Sequence, residues 1–305
     1  MKPLVSVIIP NYNHAAYLPQ RIESVLGQTF RNTEIIILDD CSTDGSRDII
    51  SRYATQDSRI RTIFNTRNSG SPFRQWAKGM AEARGRYIWI AESDDYADLL
   101  FLEKIVSALE AKPAAGVAYS QSWLVDSAGQ KTDSCRNLYA VPGLPGIYPG
   151  RHLIEERMAG ANLIPNASAA VFRRDLALQL DDSYQDFRFS GDWWFWCQLL
   201  AVSDLIYVDE ELNHFRSHPQ KVTVASHRNH TFVIEKLTVI GLLRAKKWIS
   251  MRTFQNKSRN AAVQLVSAQR AGTQPLSPQS IRKIMQYALR HNRVFLVQAI
   301  KCWLR

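Results

Sequence analysis

The chain has 305 residues, 46% hydrophobic and 22% charged, enough for one large domain with an appendage or for two domains. No apolar run is long enough to span a bilayer. The four cysteines (Cys41, Cys135, Cys197, Cys302) are scattered without metal-ligand spacing and are expected as free thiols of a reducing cytoplasm. The net charge of +10 is unevenly distributed: His214 to Arg305 holds 17 Lys and Arg against a single acid, Glu235, while residues 1 to 213 hold 21 basic and 27 acidic side chains. An acidic body with a basic tail points to a polyanionic partner or an anionic membrane surface.

The first segment, MKPLVSVIIPNYN, lacks a small-residue cleavage site and reads as a strand, Leu4 to Ile9 closed by Pro10, and not as a signal peptide. After the loop Asn11-Tyr12-Asn13, the spacing of Leu18, Ile22, Val25 and Leu26 predicts a helix over Tyr17 to Leu26. Glu34 to Leu38 is a second strand ending in Asp39-Asp40; CSTDGS supplies turn and N-cap chemistry for a helix from Ser46 to Tyr53. Ile60 to Phe64 is a third strand, and the polar loop NTRNSGSP leads into a helix from Phe73 to Ala83. Tyr87 to Ala91 is an unbroken apolar run, the pattern of a strand covered on both faces. Strand and helix alternating at this spacing predict a parallel, doubly wound α/β sheet. Further on, a helix over Leu100 to Leu109, strands at Val117 to Ser120, Ala169 to Phe172 and Leu205 to Val208, and a helix over Asp192 to Ala201 are expected. Residues 126 to 150 read as a long loop, and from His227 the pattern is helical to the end, with a break at Gly272 to Pro278.

The central strand breaks into Glu92-Ser93-Asp94-Asp95. Three acids in four positions at a carboxyl end of the sheet repel one another unless a cation sits among them, and hard divalent ions such as Mg²⁺ or Mn²⁺ take carboxylate oxygens. The alternative is a solvated acidic turn ahead of the next helix. Tyr12 and Asp40 follow the first two strands at the same edge; an aromatic face stacks on a planar base and a carboxylate accepts a base N–H. Asp44, next to Gly45, reads as a turn former. No G-x-G-x-x-G and no Gly-rich Lys-Ser/Thr loop is present, which argues against nicotinamide binding and P-loop chemistry.

PNYN, DDCSTDGS, NSGSPFRQW, GRYIWIAESDD and GDWWFW, in this order over residues 4 to 220, resemble the motifs of family 2 glycosyltransferases. The resemblance implies a Rossmann-like A-type fold over residues 1 to 220, followed by a basic helical region over 221 to 305. It implies an inverting enzyme that moves a sugar from a nucleotide diphosphate, UDP- or dTDP-linked, to a glycan or lipid-linked glycan of a cell-surface polysaccharide such as O-antigen. It also implies that Pro10, Tyr12 and Asp40 meet the nucleotide, that Asp94 lies near the ribose, that Asp95 binds the metal and that Asp192 is the catalytic base. The acidic neighbour usual before that Asp is Gly191 here. His214-Phe215-Arg216-Ser217-His218 resembles the family's flexible loop over the diphosphate, with Arg216 on phosphate and His218 on metal or phosphate. Arg67 and Asn68 are further candidates to face the nucleotide. Without the resemblance, Asp192 reads as a helix N-cap, HFRSH as a basic surface loop, and at least two of Trp193, Trp194 and Trp196 as core.

In the tail, NRVFLVQAIKCWLR places Phe295, Leu296, Ala299, Ile300, Trp303 and Leu304 on one helical face flanked by Arg293, Lys301 and Arg305. That pattern fits either a helix packed on the body or a peripheral element on the anionic cytoplasmic face of an inner membrane. Two other functions compete. A nucleotidyltransferase would carry a basic, Gly-rich phosphate loop after the first strand, which PNYNHAAY is not. A nucleic-acid binder or a basic-tailed non-catalytic transferase domain would rest on the tail, which lacks helix-turn-helix and finger signatures, so no nucleic-acid partner is expected.

Overall fold

In this computed structural model, residues 3–135, 145–218, 230–272 and 276–304 are described. Part of the expected 126–150 loop and the expected helical start at His227 lie outside them. The first half is an open α/β unit: β1 (Val5–Asn11), α1 (Leu18–Leu26), β2 (Thr33–Asp39), α2 (Ser46–Gln56), β3 (Ile60–Phe64), α3 (Pro72–Glu82) and β4 (Tyr87–Ile90). These strands pair in parallel, β3-β2-β1-β4, with Asn11 opposite Asp39 and Asp39 opposite Phe64. Their carboxyl ends therefore share one edge, from which Tyr12, Asp40 and Glu92 continue. Side chains alternate strictly: Val5, Val7, Ile9, Tyr87 and Trp89 pack with Leu18, Ile22, Phe101 and Ile105 on one face. Ile8, Leu38, Ile88 and Ile90 pack with Phe73, Trp76 and Met80 on the other. Both faces are dry, as the unbroken apolar runs require.

The second half adds β5 (Tyr96–Ala97), α4 (Phe101–Ala111), β6 (Ala115–Val125), β7 (Lys131–Ser134), β8 (Gly146–Tyr148), short helices α5 (Gly150–Leu153) and α6 (Arg174–Ala177), β9 (Ala170–Arg173), α7 (Gly191–Leu200) and β10 (Asp204–Arg216). The sheet order is β3-β2-β1-β4-β9-β6-β10-β5, with β7 paired to β6 and β8 to β10. β9 runs antiparallel between β4 and β6, so the sheet is mixed beyond β4. The closing strand does not stop at Val208. It absorbs register shifts around Glu211 and follows β6 to Arg216, so the expected flexible Arg/His loop is strand up to that residue. Helix α7 is apolar on every side and buried; Trp193, Trp194 and Trp196 are all core.

Four helices follow: α8 (His230–Ala245), α9 (Met251–Arg270), α10 (Pro278–His291) and α11 (Arg293–Trp303). They enclose their own apolar core, in which Leu237 meets Ala262, Leu265, Ile284, Phe295 and Ala299. α8 has a second allegiance, because its Val239 and Leu243 enter the core beneath the sheet. In α11, Phe295 and Ala299 are buried, while Val297 and Ile300 are half exposed, and Leu304 just past its end is 84% exposed. Among the described residues no helix is long and apolar enough to cross a membrane.

Candidate functional site

The site is assembled from loops that leave the carboxyl edge of the sheet. At the end of β2, Asp39 is fully buried and accepts hydrogen bonds from Asn11 Nδ2, the Ser42 N–H and Arg47 Nε, each at 3.0 Å. The turn that follows is tight: Cys41 and Asn13 both adopt positive φ (64° and 56°), and Asn13 Oδ1 accepts the Thr43 N–H at 2.8 Å. Tyr12, between these stitched turns, is 48% exposed at the rim. Pro10 lies within β1 opposite Leu38. Asp44 is a turn residue as expected, accepting from the Ser46 and Ala15 N–H groups.

Asp40 is directed against the β3–α3 loop. Its carboxylate accepts from Asn65 Nδ2 (2.7 Å), Gln75 Nε2 (3.0 Å), Ser69 Oγ (2.7 Å) and the Ser69 N–H (2.9 Å). The loop it organises lines a cleft of about 650 Å³ whose rim carries Arg67, Asn68, Arg74 and Lys78. Another depression, of about 460 Å³, opens at the opposite edge of the sheet near Leu4 and Arg86, away from these acids.

The acids of residues 92–95, just beyond β4, point in different directions. Glu92 accepts from Trp76 Nε1 at 2.8 Å, and its carbonyl accepts from Arg21 Nε at 2.8 Å. Asp95 turns inward: Oδ2 accepts from Asn166 Nδ2 and Ser168 Oγ at 2.8 Å, and Oδ1 from the Arg216 N–H at 2.9 Å. Asp94 turns the other way, with Oδ2 3.1 Å from His218 Nε2. His14, from the β1–α1 loop, joins them; each of His14, Asp94 and His218 brings a ligand atom, all within 4.8 Å of one another. His14 Nδ1 is 2.8 Å from Ser93 Oγ, and burial pulls its pKa down against the opposing pull of Asp94, which favours the neutral imidazole that ligates metals. His218 Nδ1 is buried with no hydrogen-bond partner among the described residues. Two imidazoles and one carboxylate are a fitting donor set for a divalent transition ion such as Mn²⁺.

Two expectations therefore change. The structure brings Asp94, and not Asp95, to the His14–His218 cluster, because Asp95 is held by Asn166, Ser168 and the Arg216 N–H. The structure places His218 in this cluster with His14, which was missed; its only signal was an imidazole directly after PNYN. Arg216 lies in strand and not in a flexible loop. Held at the end of β10 and 2% exposed, it donates to the carbonyls of Asp94 (2.6 Å), Asp126 (3.2 Å) and Ser127 (3.0 Å) and to Gln20 Oε1 (2.5 Å), with its guanidinium over the rings of Tyr17 and Tyr96.

A second carboxyl stands apart, on α7. Asp192 Oδ2 accepts from Asn162 Nδ2 at 2.9 Å and Oδ1 from the Trp193 N–H at 2.7 Å. Burial pushes its pKa up to about 7, with Glu235 adding to the rise and the Trp193 N–H and Asn162 opposing it. It is not the helix N-cap, since that position is Ser190. One segment, 159–169, serves both acids: Asn162 touches Asp192, and Asn166 and Ser168 hold Asp95.

With this geometry in place, the class is defined: an A-type α/β sheet with acids and imidazoles at its carboxyl edge. The model of Glycosyl transferase family 2 matches residues 6–175, more than half of the chain, and the chain belongs to that family. It is 46% identical over 94 residues to the putative teichuronic acid biosynthesis glycosyltransferase TuaG of Bacillus subtilis, a stretch covering 31% of this chain and 37% of that protein. It is 37% identical over 114 residues to glycosyltransferase GlyG of Streptococcus pneumoniae, covering 37% and 38% respectively. The matches thus span under two fifths of these relatives. In fold it resembles S. aureus TarS 1–349 in complex with UDP-GlcNAc (TM-score 0.66, 16% identity, 97% of this chain and 82% of that one). It also resembles the mannosyltransferase PcManGT of Pyrobaculum calidifontis in complex with GDP-Man and Mn²⁺ (TM-score 0.56, 14% identity, 99% and 86%).

The Asp40 contacts carry a stability prediction. Asp40→Ala leaves Asn65, Gln75 and Ser69 without their common acceptor, and buried donors left unpaired cost about 1–3 kcal/mol each before water relaxes the site. Urea unfolding is expected to show a loss of at least about 2 kcal/mol, and limited proteolysis new cleavage within 65–75. A variant with unchanged midpoint and unchanged loop protection would contradict this role.

Proposed function

We propose that the chain is an inverting glycosyltransferase that uses a UDP- or dTDP-sugar, with a divalent cation, to extend a glycan or lipid-linked glycan of a cell-surface polysaccharide. The observation that carries the reading is the division of labour between two carboxyl sites in a family 2 chain. Asp94 is joined to two imidazoles, and Asp192, on another segment, has a proton affinity set near neutrality.

His14, Asp94 and His218 would hold the cation, which as a Lewis acid offsets the charge that grows on the departing diphosphate. Mg²⁺ favours all-oxygen octahedra, so the imidazole-rich set favours Mn²⁺. Tyr12 offers its exposed face to the base. Asp40 fixes the loop bearing Arg67 beside Arg74 and Lys78 of α3, whose charges suit the anionic donor. Asp95 locks the acidic turn in place. Asp192 accepts the acceptor hydroxyl's proton as that oxygen bonds to the anomeric carbon from the face opposite the leaving diphosphate. One bond to carbon forms, one breaks, and the configuration inverts.

Residues 1–220 act as the catalytic unit in this reading and 221–305 as a basic helical region. The basic excess there, with Val297 and Ile300 uncovered on α11 and Leu304 just past its end, supports attachment to the anionic cytoplasmic face of the membrane that presents lipid-linked acceptors. Co-sedimentation with anionic vesicles at low salt is expected for the full chain and not for one ending before residue 276; equal sedimentation of both would remove the tail from the proposal.

For the donor, thermal unfolding with UDP, dTDP, GDP, CDP or ADP, with and without Mn²⁺, is the direct check. A cognate diphosphate at 100 times its Kd stabilises by about 2.7 kcal/mol. That gain is expected only with metal and only while Asp94 is intact, so Asp94→Ala should abolish it. If no diphosphate stabilises the protein, the transferase reading falls. For the base, kcat/KM is expected to rise through about pH 7 as Asp192 loses its proton, and Asp192→Asn to lower kcat by roughly 10²–10⁴ with donor binding retained. A flat profile from pH 5.5 to about 8.5 would rule Asp192 out as that base.

A further inference from the structure

We infer that Glu235, the single acid of the last 92 residues, is a positioning residue for Asp192: from α8 it grips the backbone at the mouth of α7 and sets where the Asp192 carboxyl stands. The inference rests on the reading of Asp192 as general base. Glu235 accepts three main-chain hydrogen bonds, from the N–H groups of Arg188 (2.6 Å), Phe189 (2.9 Å) and Ser190 (2.8 Å). The first N–H groups of a helix and its lead-in have no partners within the helix, and Ser190 supplies no side-chain cap of its own. A carboxylate there fills that gap and complements the positive end of the helix dipole. The residue holding α7 in register thus comes from 45 residues downstream, on an element of the basic region.

The mouth of α7 has little freedom otherwise. A Cβ on Gly191 would lie 2.5 Å from Phe73 Cδ2 and 2.5 Å from the Tyr184 carbonyl, so α7 starts in direct contact with α3 and its own lead-in. Glu235 closes the remaining side, leaving Asp192, one residue on, in a fixed place. The groups facing Asp192 are few. Asn162 comes from the 159–169 segment, the Trp193 N–H and the Cys197 thiol from its own helix, and Glu235 from α8. The Arg188 guanidinium points elsewhere, to the Gly70 carbonyl at 2.6 Å. Among the described residues Glu235 is a charged group whose field acts on this carboxyl, and two effects follow. Its grip fixes the geometry, and its negative charge opposes a second negative charge on Asp192.

A merely architectural Glu235 would move stability alone, so the test reads proton affinity. In the full chain, Glu235→Gln keeps the shape but removes the charge, and the acidic limb of kcat/KM is expected to shift to lower pH. Glu235→Ala also releases the amides and is expected to lower kcat by about tenfold or more, with the donor KM near wild type, since small misplacements of a reacting group are costly. Val239→Ala, which loosens α8 without touching the amides, controls for folding: a lower melting temperature with the limb unmoved. A ¹³C NMR titration of the Asp192 carboxyl, assigned with Asp192→Asn, separates this inference from the one beneath it. If that midpoint falls in Glu235→Gln while Asp192→Asn remains active, the base reading fails and the Glu235 link stands. If the midpoint is the same in wild type and Glu235→Gln, the inference is overturned whatever the activity.

Discussion

The structure depends on the burial of four carboxyl groups at one edge of a sheet. Asp39, Asp40, Asp94 and Asp95 are at most 7% exposed, and an ionised carboxylate is removed from water only if its oxygens find donors. Each acid finds them in a different piece of chain. Asp39 draws in Asn11, the 41–42 turn and α2; Asp40 draws in the 65–75 loop; Asp95 draws in the 159–169 segment and the end of β10. The loops around the site are therefore held by the acids rather than by apolar contact. That explains how polar segments such as NTRNSGSP keep a defined course over the sheet.

Charge balance at depth comes from two arginines. Arg21 lies fully buried beneath the acidic turn, over the Trp89 ring, with Nε on the Glu92 carbonyl and two terminal nitrogens lacking partners among the described residues. Burial lowers its pKa to about 10, while Asp95, Asp94 and Glu92 pull the other way, so it stays cationic at neutral pH. Arg216 spreads its guanidinium over main-chain carbonyls at the same turn. Both hold the acidic stretch in place. Asp94 and the imidazoles of His14 and His218 form a separate group beside them.

Much of this was legible in the sequence because it follows from periodicity. The parallel β1–β4 core, α1 to α4 and the buried α7 were readable from apolar spacing, and the carboxyl-edge location of Tyr12, Asp40 and the ESDD turn from strand order alone. What escaped depends on contacts between distant segments. Nothing local distinguishes Asp94 from Asp95; the choice is made by Asn166 and Ser168, over 70 residues away. Arg216 looked like a loop residue because β10 passes its bulges through polar residues, Asp209 to Asn213, whose spacing hides a strand. Glu235 was conspicuous as a count and mute as a contact, since its partners are backbone amides that no side-chain pattern encodes.

The same contact bears on how the chain is divided. By charge, the boundary falls near residue 214, where the acids end. By packing it falls inside α8, whose Leu237 faces the helical core while Val239 and Leu243 face the sheet and Glu235 reaches the mouth of α7. Trp194 of α7 stacks on Trp248, just beyond α8, at 5.5 Å, and Ser250 and Thr253 close on Glu155 (2.9 and 2.6 Å), which extends the docking toward α9. The basic helices are thus not an appendage on a finished domain.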